Sequence, residues 1–403
     1  MLQKMRQIII TWGTRVLLAI AIVLLAVAPT LSQPTSAPAP AQTEEIQEIR
    51  GVWLTNVSSA VLYSPWGIER ALSQLAELNF NTVYPVAWNR GVTFYPSETA
   101  EKAIGRSQDF TLGALRPGKD TLDEMIFIGH QKGLRIIPWF EYGFMAPQNS
   151  LIVKRHPSWL AQPRDSIALT HHGKYGLEWL NPLHPEVQKL LIDLIAEVVT
   201  RYDVDGIQLD DHFSLPVELG YDPFTTWLYQ QEHQGETPPE NYENAEWMRW
   251  RANKLTQVMQ RIHDRIKEIK PDCIISISPN PHQYAYRKYL QDWPTWVNRG
   301  LVDEVVVQVY RSSMESFQRD LNLNNALLTQ LQQKIPVAIG ISSGTVRTPI
   351  SINLIEEQVK AVRDRGFDGV SFFYWESLWG YITPESPHVR RRGFENLLGE
   401  GKS

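Results

Sequence analysis

The sequence predicts a (β/α)8 barrel, and three observations carry that prediction. Eight short β-rich runs recur between residues 51 and 375, amphipathic helical patterns separate them, and the longest connections follow the C-terminal ends of strands. Most of the runs are continuously apolar, as strands covered by helices on the sheet's outer face are. An open doubly wound sheet shares the alternation, but no glycine-rich phosphate loop follows any run.

The first run, Gly51–Asn56, leads into an amphipathic pattern over Ile68–Leu78. Thr82–Trp88 is second, and its helix, Thr121–Lys132, stops at Gly133. Arg135–Tyr142 is third, with the helix Glu186–Tyr202 behind it. Gly206–Asp211 precedes the long helix Ala245–Lys270, which Pro271 ends. After the fifth run, Ile274–Pro279, the link Pro281–Gly300 leaves room for only a short helix. Glu304–Tyr310 with helix Leu321–Lys334, Val337–Ser342 with helix Leu354–Arg365, and Val370–Trp375 complete the set. Glycine and proline sit where helix stops belong. The long loops Asn89–Lys119, Gly143–His184 and His212–Glu243 would wall a deep cleft for an extended ligand on the active face.

Ahead of this unit, Lys4, Arg6 and Arg15 precede an unbroken apolar run, Val16–Ala28. That run is shorter than the ~20 residues a spanning helix needs and has the form of a signal-peptide core, with small residues at Ala26 and Ala28 for cleavage. The apolar Ile8–Trp12 stretch leaves an uncleaved anchor open as the alternative. Residues 29–45 are rich in Pro, Ala, Ser and Thr and form a tether. The expected organisation is a signal or anchor at 1–28, linker 29–45, barrel 46–395 and tail 396–403, placing the barrel in a secreted or periplasmic setting. A net charge of −5 leaves no footprint for nucleic acid or an anionic membrane surface. The single cysteine, Cys273, excludes an internal disulfide. The 14 Trp fit sugar stacking and core filling alike.

Chemistry in a barrel belongs to the strand tips. Here they carry Asn56, Trp88 with Asn89, Glu141, Asp210-Asp211-His212, Asn280, Gln308 with Tyr310, Ser342-Ser343 and Glu376. An apolar strand ending in two acids and a histidine is poor packing, because a buried carboxylate costs several kcal/mol unless partnered. Asp210 continues the inward register of Gln208. Converging carboxylates suit glycoside hydrolysis, where one acid protonates the leaving oxygen and another attacks the anomeric carbon or activates water. The catalytic candidates are Asp210, Glu141, Asp211 and Glu376. Trp53, Trp88, Trp139, Tyr142, Tyr310 and Trp375 are candidate sugar platforms; Asn56, His212, Arg251, Asn280 and Gln308 are polar contacts. His171 and His172 read as solvated, and His130 as a packing or surface residue. No metal or organic cofactor is required, and the partner is a polysaccharide.

The chain also resembles the glycoside-hydrolase-like family 10 proteins over residues 48–392. The resemblance rests on Arg50-Gly51-Val52-Trp53-Leu54-Thr55, Asn79-Phe80-Asn81-Thr82-Val83, Leu180-Asn181-Pro182, Tyr202 through Asp211, Trp250-Arg251-x-Asn253, Ile277-Ser278-Pro279 and Phe372-Phe373-Tyr374. It implies a secreted or lipid-tethered (β/α)8 glycosidase, and a characterised bacterial member cuts peptidoglycan glycan strands that lack stem peptides. More distantly the chain resembles the α-amylase superfamily, whose fourth-strand nucleophile falls on Asp210. That likeness fails at the fifth strand, where Ser278-Pro279-Asn280 offers no acid. Glu141 stands where many family members carry Asn, so Glu141, Asp211 and Glu376 are rivals for the general acid. Two other readings compete. A metal-dependent deacetylase would use Asp210, Asp211 and His212 but needs two more histidines at helical spacing. A non-catalytic glycan-binding protein would use the same cleft.

Overall fold

The computed structural model describes residues 48–165, 176–380 and 383–399. The expected signal and linker, and His171 and His172, lie outside them. The barrel strands are β1 (Ile49–Leu54), β2 (Thr82–Pro85), β3 in two pieces (Arg135–Ile136 and Trp139–Phe140), β4 (Gly206–Asp210), β5 (Ile274–Ser278), β6 (Glu304–Gln308), β7 (Val337–Ser342) and β8 (Gly369–Phe373). Every pairing between them is parallel, in chain order, and β8 returns to β1 through Ile49↔Gly369.

The ring closes at β3. Its first piece pairs with β2 and its second with β4. Pro138, which has no N–H to give a ladder, separates them. The strand bridges both sides regardless: the Ile137 N–H donates to Val83 at 3.0 Å, and the Pro138 carbonyl accepts from Gln208 at 2.9 Å. The expected second strand, Thr82–Trp88, is regular to Pro85 and stays in the barrel through Val86 and Ala87, whose N–H groups donate to Leu54 at 2.9 Å and to Trp139 at 2.8 Å. From Trp88 the chain turns aside, and Trp88–Asn89 forms an antiparallel pair with Val92–Thr93.

The outer helices are α1 (Gly67–Glu77), α2 (Thr121–Gln131), α3 (Pro185–Arg201), α4 (Ala245–Ile269), α5 (Trp293–Asn298), α6 (Met314–Gln332), α7 (Ile352–Arg363) and α8 (Pro387–Gly399). Their starts are chemically marked: the Asp120, Asn244, Ser313 and Ser351 side chains accept from first-turn N–H groups. α6 begins seven residues before the expected Leu321, because its first turns are largely polar and the Ser313 cap sets the start. The link 281–300 holds two short helices, His282–Tyr289 and α5. α8 runs to Gly399, with Leu397 and Leu398 buried. Among the described residues no helix is long and apolar enough to cross a membrane.

The barrel interior is partly polar. Trp53 donates its indole N–H to Gln208 at 2.7 Å, and Gln208 donates to Ser276 at 2.9 Å. Ser276 and Tyr84 both donate to Glu304, each at 2.9 Å, and Arg135 donates to its other oxygen at 3.0 Å. Gly340 on β7 leaves room for the Trp53 ring; a Cβ there would sit 3.2 Å from it.

Candidate active site

The inward register that carries Trp53, Trp139, Gln208 and Ser276 delivers the next residues of each strand to the mouth. Thr55, Glu141, Asp210 and Ser278 follow at period two. The last registered pair of β3 and β4 is Phe140↔Leu209, so Glu141 and Asp210 are each one residue beyond it, on neighbouring strands ~4.8 Å apart.

Glu141 is buried. Its Oε2 accepts from Thr55 Oγ1 at 2.9 Å and from Asn89 Nδ2 at 2.6 Å. The same Asn89 amide reaches Asn56 Oδ1 at 2.8 Å. Oε1 has no hydrogen-bond partner among the described residues. Burial raises the Glu141 pKa to about 7; the Thr55 and Asn89 bonds and the His212 and Arg90 charges oppose it without prevailing.

Asp210, also buried, uses Oδ1 as a triple acceptor: from the Asp211 N–H at 2.7 Å, Ser278 Oγ at 3.2 Å and Gln308 Nε2 at 2.6 Å. Its Oδ2 faces His212 Nδ1 at 3.8 Å. Burial and the Asp211 charge push Asp210 well above the usual carboxylate range, and the His212 cation opposes them. Asp211 accepts from Asn280 Nδ2 at 2.6 Å and lies 3.2 Å from His212 Nδ1. Burial disfavours an imidazolium at His212, but Asp211, Asp210 and Glu141 outweigh it and lift the pKa to about 10. The His212 ring is held by a 3.0 Å contact of Nδ1 with the Glu141 carbonyl and by the Tyr142 ring 5.4 Å away.

Aromatic rings floor the mouth. Trp53 lies 6.3 Å from Trp139 and from Phe373, and Tyr310 stacks on Phe373 at 5.4 Å. Trp53 and Trp139, expected as sugar platforms, are buried beneath Tyr310 and Phe373 and brace them instead. Burial first, then the charges of Asp210, Asp211 and Glu141, raises the Tyr310 phenol well above its usual range, so this ring looks onto all three acids. Trp88 is buried and gives its indole N–H to the Gly143 carbonyl, bracing a loop.

Glu376, Trp375 and Arg251, all expected at the site, sit elsewhere. Glu376 lies in the short helix Trp375–Trp379, where Oε1 accepts from the Ala60 N–H at 3.3 Å. It lines a separate 420 Å³ pocket with Trp375, Arg70 and Trp379. Burial raises its pKa too, but none of the other acids acts on it. Arg251 is fully buried beneath the loop after β4, donating to the carbonyls of Val217, Leu219 and Tyr242 at 2.5–2.7 Å. It anchors that loop and makes no contact with Asp210. His130 pairs with Asp205 at 2.9 Å on the outer surface, as a packing or surface residue would.

Sequence reasoning missed Thr55, Ser278 and Gln291. Thr55 and Ser278 were findable, each two residues past an inward-facing residue. Gln291 had no signal: it comes from the link after β5 and donates to the carbonyls of Asp210 and Phe213, both at 3.1 Å.

Asp210, Asp211 and His212 offer ligand atoms within 4.8 Å of one another, a possible cation cluster. Among the described residues no second histidine joins them. Coordination through His212 requires the neutral imidazole, whereas the neighbouring acids favour its protonated form.

Comparison with known proteins supplies the remaining context. Residues 48–361 match the family described as glycosyl hydrolase-like 10. Glycosyl hydrolase DigH of Escherichia coli K12 is 28% identical over 325 residues, covering 70% of each chain. Glycosyl hydrolase YngK of Bacillus subtilis 168 is 25% identical over 313 residues, 69% of this chain and 57% of that protein. In fold, the chain resembles the PgaB glycoside hydrolase domain of Bordetella bronchiseptica (TM-score 0.64, 14% identity, 87% of this chain and 98% of that one). It also resembles the catalytic domain of β-amylase from Paenibacillus polymyxa (TM-score 0.57, 10% identity, 88% and 98%).

Proposed function

Because the chain belongs to the glycosyl hydrolase-like 10 family, we propose that it is an extracytoplasmic glycoside hydrolase cutting a cell-envelope polysaccharide, the glycan strands of peptidoglycan. One observation carries the chemistry. Glu141 and Asp210 occupy neighbouring strand tips in contrasting settings, one with an open oxygen and a pKa near neutrality, the other with one oxygen fixed by three donors. The envelope substrate is supported by the family resemblance and by the apolar Val16–Ala28 run and tether ahead of the barrel.

Glu141 is the general acid. It passes a proton from Oε1 to the departing glycosidic oxygen, and Thr55 and Asn89 stabilise the carboxylate it becomes. As that bond breaks, Asp210 Oδ2 either attacks the anomeric carbon, forming a glycosyl ester that water deprotonated by Glu141 then hydrolyses, or deprotonates the attacking water directly. Its protons are shared with Asp211 and His212, and the imidazolium is what lets a carboxylate of this cluster ionise despite burial. Tyr310 and Phe373, partly exposed above the buried Trp53 and Trp139, carry the sugar ring.

The test is incubation of the purified protein with peptidoglycan, with and without prior amidase removal of stem peptides, with products read by mass spectrometry. Fragments released from the stripped strands, and lost in Asp210→Asn and Glu141→Gln, bear the proposal out. Full activity in the Asp210 variant sinks its assignment. Binding to the sacculus without product would make this a glycan-binding protein.

A further inference from the structure

A groove of about 720 Å³ runs outward from Asp211 and Asn280. One wall is the helix His282–Tyr289, which presents Tyr284, Arg287 and Lys288; the opposite wall holds Arg311 and Asp320. The charges on the two walls differ in kind. Arg311 is already occupied, donating to the Tyr310 carbonyl and paired with Asp320. Asp211 is engaged by Asn280 and His212. Arg287 and Lys288 are exposed and have no acidic partner among the described residues, in a chain with 44 acidic and 39 basic side chains. Their position in the last helical turn also complements the helix dipole, but that effect does not explain why both face a groove that begins at Asp211, next in sequence to the reacting Asp210.

The wall that carries them is fixed in place. The Tyr289 carbonyl accepts from the Leu215 N–H and the Lys288 carbonyl from the Val217 N–H, both at 2.9 Å, so the helix is tied to the loop after β4. Tyr284 is half exposed and its ring lies 5.8 Å from that of Tyr289. An exposed ring beside two unpaired cations matches a saccharide that has an apolar face and an anionic substituent.

We propose that this groove seats a carboxylate-bearing sugar, with Arg287 and Lys288 as counter-ions and Tyr284 beneath the ring. The proposal rests on the glycosidase reading of the adjoining site and adds what the substrate must carry. Such a carboxylate is either the lactyl ether of a muramic residue, free only where the stem peptide is gone, or the C6 acid of a uronate.

The experiment compares the full chain with the double variant Arg287→Gln/Lys288→Gln. The substrates are amidase-stripped glycan strands, with carboxylates free or converted to methylamides by carbodiimide coupling. Wild type should show a KM about five- to tenfold lower for the free carboxylate, the size expected of two solvent-exposed charge pairs, and the preference should fade with salt. The double variant should lose the preference, with the change in KM and not in kcat. Competition by oligogalacturonate, absent with neutral oligosaccharide of equal length, would assign a uronate; competition only by stripped strands would assign the lactyl ether. Equal kcat/KM for free and amidated strands in wild type overturns the proposal, as does a variant that still discriminates. The amidation arm stands even if the variant folds poorly. If nothing is cleaved, the glycosidase reading fails alone, and equilibrium binding of the same strands decides: preferential binding of the free carboxylate by wild type, lost in the variant, keeps the groove, and equal binding removes it.

Discussion

Replacing Glu141 by Gln should stabilise the protein in alkaline solution while abolishing turnover. The folded pKa of about 7 exceeds the ordinary 4.5, so folding favours the protonated form. The stability contributed by that neutral acid is fully present below pH 4.5 and is lost as pH rises through 7. A gap of about 2.5 pH units corresponds to roughly 3 kcal/mol. Gln keeps the shape and the acceptor for Thr55 and Asn89, and it cannot ionise. For about 350 ordered residues, 3 kcal/mol is a rise in Tm of about 4 °C. Thermal unfolding of both proteins at pH 4, 6 and 8.5, with glycan turnover measured in parallel, is the assay. The expected pattern is coincident melting at pH 4 and a gain at pH 8.5. A variant less stable than wild type at pH 8.5, or a gain equal at every pH, would refute the reasoning, because neither follows from a buried carboxylate forced to ionise.

Other perturbations follow from the same contacts. Thr55→Val removes a donor that favours ionised Glu141, so the alkaline limb of the kcat/KM profile should move up by about 1–2 pH units; a uniform loss with no shift would contradict it. His212→Gln deletes the cation opposing protonation of Asp210, and the acidic limb should move to higher pH. Asn280→Ala takes away the Asp211 donor and should lower kcat/KM about tenfold or more, measured on stripped strands. Arg251→Leu strands three backbone carbonyls under the loop after β4; denaturant titration should show a loss of about 3–5 kcal/mol, and a loss below 1 kcal/mol would contradict the anchoring role.

The barrel was legible because a strand covered on both faces leaves a continuous apolar run. Those runs locate all eight strands within a few residues. What they do not show is that Pro138 divides the third strand, or that the chain leaves the barrel at Trp88 to pair with Val92–Thr93, since a ring tolerates both without changing its apolar pattern. Asp210, Asp211, Glu141, Asn280 and Gln308 were readable as polar ends of apolar runs, and the structure brings them together. Glu376 and Arg251 had the same residue chemistry, but their positions depend on how a loop folds back. Glu376 lies past the end of β8 on a helical turn that faces α1, and Arg251 faces inward beneath a loop. Period-two register extends only as far as the strand does.

The polar thread inside the barrel has a consequence for how such a sequence changes over generations. Trp53, Gln208, Ser276, Glu304, Tyr84 and Arg135 come from six different strands, yet each bond in the thread fixes the orientation of the next. An indole only donates, so Gln208 must present its carbonyl to Trp53 and its amide to Ser276, whose hydroxyl is then committed to Glu304. Exchanging any one of them for an apolar residue leaves a buried neighbour unsatisfied, at about 1–3 kcal/mol. Drift at these positions is therefore expected to come in compensated pairs or not at all. Positions up to 251 residues apart in the chain should be inherited as a unit, and a set of diverged homologues would show it as covariation among them.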